Sequence, residues 1–354
     1  TWNRGKRSIT LNLKQPDDLA IATQLIASAD VVLENFRPGV MDRLGLGPQA
    51  AMRMHPRLVY CSLPGFASDD PRAQLRAFEG VIGAATATYR PQHPGSDRPI
   101  YTAIPISSNY AAFQAVVSIV IALFARERDG VGQRIEVPLF DSTFPSIGAR
   151  AMHVHDPAHV VPTSRGIWGG GFECADGRWV QFGGAGNQNF RQFVEAAGIS
   201  AWDTEGLTDI ERIMHDPELF AEHVRRAREL FKTRTAQEWE DLVAKAGSEC
   251  AVCRTSAEWF EHPHAQASQM VLEIEDPRYG KMLQPGINVR LSRTPGAVRG
   301  PAPQPDQHRA EILAELAARS PHAPPPAEEA TLRAALEGVR VLDLCIILAG
   351  PTLG

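Results

Sequence analysis

Short apolar strands alternate with helical segments near the start of the chain, and this alternation restricts the possible folds more than any other feature. Apolar runs at 29–34 and 58–63 have the length and composition of buried strands, and residues 8–13 alternate like a strand ahead of them. The intervening segments at 19–27 and 50–54 have helical periodicity. Because strands separated by helices favour a parallel sheet covered on both faces, we predict a doubly wound α/β fold.

A long helix and a further strand extend this predicted domain. The helix is predicted over 110–128, and we interpret its most apolar part, 111–125, as a buried core helix too short to cross a bilayer. Residues 134–139 then alternate as a strand that leads to Asp141. Ligands of open α/β sheets bind at the carboxyl ends of the strands, so Asp141 is a candidate catalytic carboxylate. From position alone, capping of the following helix explains the same residue.

The composition changes after Ser164, where a glycine-rich stretch begins. A hairpin is predicted over 172–182, and helices are predicted at 188–197, 217–232 and 236–246. This order of elements predicts a second, smaller α+β domain.

Charge and cysteine content exclude several classes of partner. The 354 residues include 36 Lys and Arg against 41 Asp and Glu, a net charge of −5, and the basic residues are scattered. That distribution argues against a nucleic-acid partner. The five cysteines are dispersed along the chain, as is typical of a reducing compartment. On this cysteine distribution we expect a cytoplasmic protein. No basic or apolar leader follows Thr1 and no membrane span is predicted, so we expect no membrane partner.

Two groups of Cys and His side chains are candidate metal ligands. Cys250 and Cys253 are followed by His262 and His264, but a structural zinc site needs four ligands with firm spacing. A second histidine group, at 153–159, has the composition of a solvated loop. We therefore predict no bound metal.

Two glycine clusters, at 169–171 and 183–186, lack the spacing of a dinucleotide fingerprint or a P-loop. Three consecutive glycines let a backbone approach a ligand closely and present N–H donors to a developing oxyanion. A flexible hinge between domains explains the cluster at 169–171 equally well.

The loop at 34–45 follows a predicted strand and contains an aromatic residue, an amide and two arginines. Such a group can stack on a base and pair with phosphates. A solvent-exposed surface loop is the alternative interpretation.

Four stretches, in this order, resemble the family III CoA-transferases, the CaiB/BaiF family. They are residues 3–14, 34–45, 56–62 and 132–141, and the resemblance extends from residue 1 to about 318. It implies a Rossmann-like doubly wound parallel sheet, a second, smaller α+β domain joined by long linkers, and an interlocked dimer.

The resemblance also implies a chemistry. Asp141 matches the family's catalytic aspartate, which attacks an acyl-CoA thioester, becomes an aspartyl-CoA thioester and passes CoA to an acceptor carboxylate. Glu79 matches an acidic residue that borders the active site. The glycines Gly169, Gly170 and Gly171 resemble a flap over the reacting aspartate.

Coenzyme A is the implied co-substrate, with an acyl-CoA donor, a carboxylate acceptor and no metal. Six residues match positions where the family contacts CoA: Leu11 and Lys14 at the adenosine, Asn35, Phe36 and Arg43 in the nucleotide-binding loop, and Arg76 nearby.

On this resemblance we expect five segments along the chain. They are a large CoA-binding domain without its amino-terminal βα units (1–165), a smaller α+β domain (166–284), a return segment to the large domain (285–318), a Pro/Ala-rich linker (319–334) and the start of a second CoA-transferase module (335–354). The last assignment depends on the strand-like sequence at 336–344, which is similar to the family's own first strand. We therefore expect a tandem protein that forms a homodimer or an intramolecular pseudo-dimer.

Two departures from the family pattern leave alternatives open. Phe78 stands where transferases often have Tyr and where related α-methylacyl-CoA racemases have a catalytic His, and Phe cannot transfer a proton. Residues 107–109, Ser-Ser-Asn, stand where an Asp is common. The alternatives to a catalytic transferase are a non-catalytic structural module of a tandem enzyme and, with less support, a racemase.

Overall fold

A computed structural model of the chain describes residues 2–89, 98–148, 155, 170–183, 187–318, 332–340, 342 and 344. The chain divides into two units. The sheet unit comprises Arg7–His153 and Gln304–Gly354, and the insert unit comprises Thr1–Lys6 and Val154–Pro303.

The elements follow one another in this order. The sheet unit contains α1 (Pro16–Ala27), β1 (Val31–Glu34), α2 (Val40–Arg43), α3 (Pro48–Met54), β2 (Val59–Ser62), α4 (Glu79–Ala85), α5 (Ile106–Asp129), β3 (Arg134–Glu136) and α6 (Leu139–Ser146). The insert unit contains β4 (Gly170–Glu173), β5 (Trp179–Phe182), α7 (Asn187–Ala197), α8 (Ala201–Thr204), α9 (Ile210–His215), α10 (Pro217–Phe231), α11 (Ala236–Lys245), β6 (Cys250–Val252), α12 (Ser256–Glu261), α13 (Pro263–Ala267), β7 (Val271–Asp276) and β8 (Gly280–Pro285). Helix α14 (Arg309–Ala318) returns the chain to the sheet unit.

The parallel sheet has the strand order β1-β2-β3, and both pairings are parallel. All four residues of β2 are buried, as expected for a central strand covered on both faces. Tyr60 belongs to a core with Ala22 and Ala51 of helices α1 and α3, whereas its neighbour Cys61 belongs to a core with Ala111 of α5. Because successive side chains of a strand point to opposite faces of the sheet, Tyr60 and Cys61 face the two different helical layers that cover it. The predicted mixed α/β fold with a parallel sheet is confirmed.

Two predicted strands are wrong. Residues 8–13 form no strand, because their backbone is held by the segment before α14 instead: Ser8 N–H donates to His308 Nδ1 at 3.1 Å and Thr10 N–H to Asp306 Oδ1 at 2.8 Å. In the described part of 336–344 the chain turns rather than pairs, with Val339 N–H donating to the Leu336 carbonyl at 2.9 Å.

Helix α5 is longer and less buried than its sequence predicts. Small residues, among them Ala111, Ala115 and Ala122, face the protein interior, whereas Phe113 and Val120 are 64% and 59% exposed. By length and composition α5 is apolar enough to cross a membrane, and 22% of its most apolar window is buried. The prediction of a buried core helix is therefore wrong for one face of α5.

The insert unit has its own antiparallel sheet and aromatic core. Strands β4, β5 and β6 pair in that order, which confirms the predicted hairpin at 172–182. Phe231 of α10 stacks on Phe172 of β4 with ring centroids 4.4 Å apart, and the indole N–H of Trp239 donates to the Phe231 carbonyl at 2.8 Å. Strands β7 and β8 form a separate antiparallel pair.

Removing the hydroxyl of Tyr60 should destabilise the sheet unit. The side chain is fully buried and donates to the Leu46 carbonyl at 3.1 Å. Tyr60→Phe leaves that acceptor unpaired, so we expect the free energy of unfolding to fall by about 1–2 kcal/mol in a urea titration. Tyr279→Phe, at a position that is 65% exposed, is the matched control and should leave the free energy of unfolding unchanged. Equal losses in both variants would contradict the role of this hydrogen bond.

Candidate active site

A cleft opens at the carboxyl edge of the parallel sheet. The last residue of each strand, Glu34 of β1, Ser62 of β2 and Glu136 of β3, lies on its wall. The cleft has a volume of about 500 Å³, and the loop after β1 supplies much of its lining, including Phe36 and Arg37. Parallel strands thus bring loops distant in sequence to one edge of the sheet.

Hydrogen bonds between the loops after β1 and β2 shape this cleft. Arg37 Nη1 donates to the Gln74 carbonyl at 2.8 Å, and Gln74 Nε2 donates back to the Pro38 carbonyl at 3.1 Å. Gly39 has a φ of 80°, a left-handed conformation that starts α2 and that a side chain would strain. The backbone N–H of Phe36 donates to Glu34 Oε2 at 2.7 Å, and Phe36 remains 47% exposed.

Both signs of charge occur in the cleft. Arg134 Nη2 lies 2.7 Å from Glu136 Oε2. Glu136 also accepts from the N–H and the Oγ of Ser68, at 2.6 and 2.8 Å. With Arg37 on the opposite loop, the cleft can bind a molecule that carries phosphate groups next to polar and apolar parts.

Asp141 lies in the first turn of α6, shortly after β3. The start of α6 is tied to the loop after β2, since Leu139 N–H donates to the Pro64 carbonyl at 2.9 Å and Phe140 N–H to the Gly65 carbonyl at 3.1 Å. The N-cap of α6 is Pro138, with no side-chain capping bond. In the described part of the chain the Asp141 carboxylate accepts no hydrogen bond. The capping interpretation of Asp141 is therefore wrong.

The surroundings of Asp141 disfavour its charge. Partial burial raises the pKa of the Asp141 carboxyl above its usual value, and the nearby carboxylates Asp70, Asp69 and Glu136 raise this pKa further. The Arg72 guanidinium acts in the opposite direction and lowers the pKa. Asp141 is thus an unpaired carboxylate in an acidic setting, a combination frequent at functional sites.

Glu79 holds the start of α5. Its Oε1 accepts from the Ser107 N–H at 2.8 Å, and its Oε2 accepts from the Ser108 N–H and hydroxyl at 2.8 and 2.7 Å. A carboxylate is favourable there because the first N–H groups of a helix lack partners within the helix. Glu79 therefore supplies a carboxylate beside the positions where an Asp was expected, and Phe78 next to it is 68% exposed.

The predicted CoA residues are only partly brought together. Phe36 lines the cleft, whereas the other five are not among its lining residues in the described part of the sheet unit. Leu11 packs against the core below β2, and Lys14, Asn35, Arg43 and Arg76 are exposed on the surface. Arg134 and Arg72 were not predicted as site residues, and Arg37 was predicted only as one of the two arginines of the 34–45 loop that could pair with phosphates. Arg37 stood inside the singled-out loop, and Arg134 begins the predicted strand before Asp141.

The glycine residues of the expected flap are in the insert unit. Gly170 and Gly171 form part of strand β4 and pair with Phe182 and Gln181 of β5, so these two do not form a loop. Gly169 lies outside the described residues.

Among the residues that the structure describes, no group of three or more His, Cys, Asp or Glu side chains is placed to hold a metal ion. Most of the histidine group at 153–159 lies outside the described residues.

Neutralising Asp141 should stabilise the fold. Because the carboxyl pKa is raised, the folded state binds the proton more tightly than the unfolded state does. The ionised Asp141 therefore destabilises the folded protein as the pH rises above 3.8, the usual pKa of an Asp carboxyl. We expect Asp141→Asn to have a higher melting temperature than the wild type at neutral pH and no advantage well below pH 3.8. The control Asp17→Asn removes a favourable charge from the first turn of α1 and should not raise it. A lower melting temperature for Asp141→Asn at neutral pH would contradict the electrostatic description.

Comparison with known proteins finds relatives that are named as CoA-transferases. The CoA-transferase/lyase DddD of Marinomonas sp. is 28% identical over an alignment that covers 99% of this chain and 48% of DddD. The succinyl-CoA–D-citramalate CoA-transferase of Chloroflexus aurantiacus is 28% identical, with 88% of this chain and 79% of the relative covered. The chain therefore spans about half the length of the first relative and most of the second.

Structural comparison agrees with these relatives. The crystal structure of a CaiB/BaiF family protein from Brucella suis superposes with a TM-score of 0.71 at 23% identity, covering 89% of this chain and 82% of the other. The family model described as CoA-transferase family III matches residues 1–309. The chain belongs to CoA-transferase family III.

Proposed function

We propose that the protein transfers coenzyme A from an acyl-CoA donor to a carboxylate acceptor through an aspartyl-CoA thioester on Asp141. The observation that carries this proposal is the Asp141 carboxylate itself, which lies after β3 at the carboxyl edge of the sheet and accepts no hydrogen bond within the described residues. Such a carboxylate is available as a nucleophile. Family membership and relatives named CoA-transferases support the same reaction class.

The proposed reaction has four balanced steps. The Asp141 carboxylate attacks the thioester carbonyl of the donor, so that the C–S bond breaks and a mixed anhydride and CoA thiolate form. The thiolate attacks the Asp141 side of the anhydride, which releases the first carboxylate and leaves the aspartyl-CoA thioester. The acceptor carboxylate then attacks this thioester and again expels CoA thiolate. The thiolate attacks the acyl side of the second anhydride, which forms the product thioester and regenerates Asp141.

Binding of CoA is proposed at the cleft. Phe36 is exposed enough to stack on the adenine, and Arg37 and Arg134, which line the same cleft, would pair with phosphates. Lys14, Asn35, Arg43 and Arg76, on the surface of the sheet unit, and the more buried Leu11 are proposed as outer contacts of the same cofactor.

The remaining expectations complete this proposal. Glu79 would act by fixing the start of α5. The role of Gly169, Gly170 and Gly171 as a flap is proposed on the family resemblance alone. The interlocked dimer or tandem pseudo-dimer, the domain limits and the cytoplasmic location are proposed on the same family resemblance.

Substitution of the nucleophile tests the proposal in the full-length protein, with any second module's own nucleophile disabled. We expect Asp141→Asn to lower kcat by about a thousandfold or more, because an amide cannot form the anhydride. Asp141→Glu keeps the charge but displaces it by one methylene, and we expect a loss of about a hundredfold. Full turnover by Asp141→Asn, measured by chromatography of the CoA thioesters, would overturn the proposal.

Calorimetric titration of CoA into Asp141→Asn separates the enzyme from a non-catalytic module. The neutral variant keeps the cleft and should bind CoA, whereas a structural scaffold should give no heat. The racemase alternative has no support at Phe78, which offers no group for proton transfer.

Loss of the Phe36 ring should weaken CoA binding. Stacking of a base on an aromatic side chain contributes about 1–3 kcal/mol, so Phe36→Ala should raise the Kd of CoA by about 5- to 150-fold. Tyr279→Ala, which removes an exposed aromatic ring from the β7–β8 turn, is the matched control and should leave the Kd unchanged. An unchanged Kd in both variants would place the adenine elsewhere.

A further inference from the structure

We propose that Arg72 is a positioning residue of this reaction: a cation held in place beside the start of α6, which keeps the Asp141 carboxylate ionised among the carboxylates around it. The inference rests on the proposed function, since it concerns the nucleophile of that reaction.

The Arg72 guanidinium is held rigidly on two sides. Its Nε and Nη2 donate to the two carboxylate oxygens of Asp70, at 3.0 and 2.7 Å. Its Cζ lies 4.3 Å from the ring centroid of Phe66 and 4.5 Å from that of Phe140. These two rings are themselves 5.6 Å apart, so the cation rests across an aromatic pair. A bidentate carboxylate together with two ring faces leaves the guanidinium little freedom.

This arrangement is directly connected to Asp141. Phe140 precedes Asp141 in α6, and its N–H is bound to the Gly65 carbonyl next to Phe66. The rings that hold Arg72 therefore belong to the two segments that meet at the start of α6. The Nη1 group of Arg72 has no hydrogen-bond partner among the described residues, which leaves two N–H donors for a carboxylate.

The charges around Asp141 explain why such a cation is needed. Asp69 and Asp70 approach from the loop after β2, and Glu136 from the end of β3. Helices α4 and α5 also pack against α6, and the carboxylate of Glu79 on α4 is occupied by the N–H groups of Ser107 and Ser108. Each carboxylate substrate adds a further negative charge, so a fixed cation offsets repulsion that would otherwise favour a protonated, unreactive Asp141.

Arginine is the suitable residue for this position. Its guanidinium stays protonated at every pH at which the protein is folded, and two edges of the planar fork can bind two carboxylates at once. Asp70 occupies one edge, and the second edge keeps its positive charge near Asp141 without a direct hydrogen bond in this structure. Lysine would keep the charge but lose the stacked plane and the second edge.

The pH dependence of kcat/KM in the full-length protein tests this inference. Loss of the cation should raise the pKa of Asp141, so the acid limb of the Arg72→Gln profile should move to higher pH by about one unit. We expect kcat at neutral pH to fall by about tenfold, with a smaller change in the KM for acyl-CoA. Arg72→Lys should recover part of the shift, and Arg53→Gln, which removes an exposed arginine of α3, should match the wild type.

Direct titration of the Asp141 carboxyl carbon by ¹³C NMR gives a readout that does not need activity. A higher pKa in Arg72→Gln, with an unchanged value in Arg53→Gln, is the expected result. Identical pH profiles and identical Asp141 titrations in wild type and Arg72→Gln would overturn the role of Arg72, even if turnover is found. Absence of turnover in the wild type would overturn the proposed function alone, because the NMR titration still decides whether Arg72 controls Asp141.

Discussion

Parallel pairing of β2 with a strand on each side is the constraint on which the rest of the sheet unit depends. Since all three strands run in one direction, Glu34, Ser62 and Glu136 end at the same edge. The connections that follow them, which are far apart in sequence, must then meet there. The cleft and the start of α6 are consequences of that edge, and the buried faces of β2 keep it rigid.

The parts of this architecture that depend on local patterns were predictable from the sequence. Periodicity predicted the longer helices, among them α1, α5 and α10, and the strands of the parallel sheet, and the strand before Asp141 indicated a carboxylate at the edge of the sheet. The short helices α4, α12 and α13 and the strands β6, β7 and β8 were not predicted. The strand prediction at residues 8–13 was wrong although apolar and polar residues do alternate there. The backbone of this segment is hydrogen-bonded to His308 and Asp306, which lie about 300 residues later in the chain. The surroundings of Arg72 were equally unpredictable, since its contacts with two aromatic rings and Asp70 form only after folding.

The environments of two carboxylates in the sheet unit fit the proposed reaction. Asp141 sits among other carboxylates without a hydrogen bond from any described residue, at a cost to stability that a structural residue would avoid. Glu79, by contrast, has both oxygens engaged by the amino terminus of α5. Two acidic residues in one unit thus have opposite environments: the Glu79 carboxylate is fully hydrogen-bonded at the start of a helix, and the Asp141 carboxylate is unpaired, as the proposed reaction requires.

Trapping of the covalent intermediate tests the central claim most directly. The full-length protein would be incubated with an acyl-CoA donor and treated with hydroxylamine, which converts an aspartyl thioester into a hydroxamate, and its peptides would then be analysed by mass spectrometry. We expect a hydroxamate on Asp141 that requires the donor and is absent from Asp141→Asn. Donor-dependent modification of a different residue in this chain, with Asp141 unmodified during turnover, would contradict it.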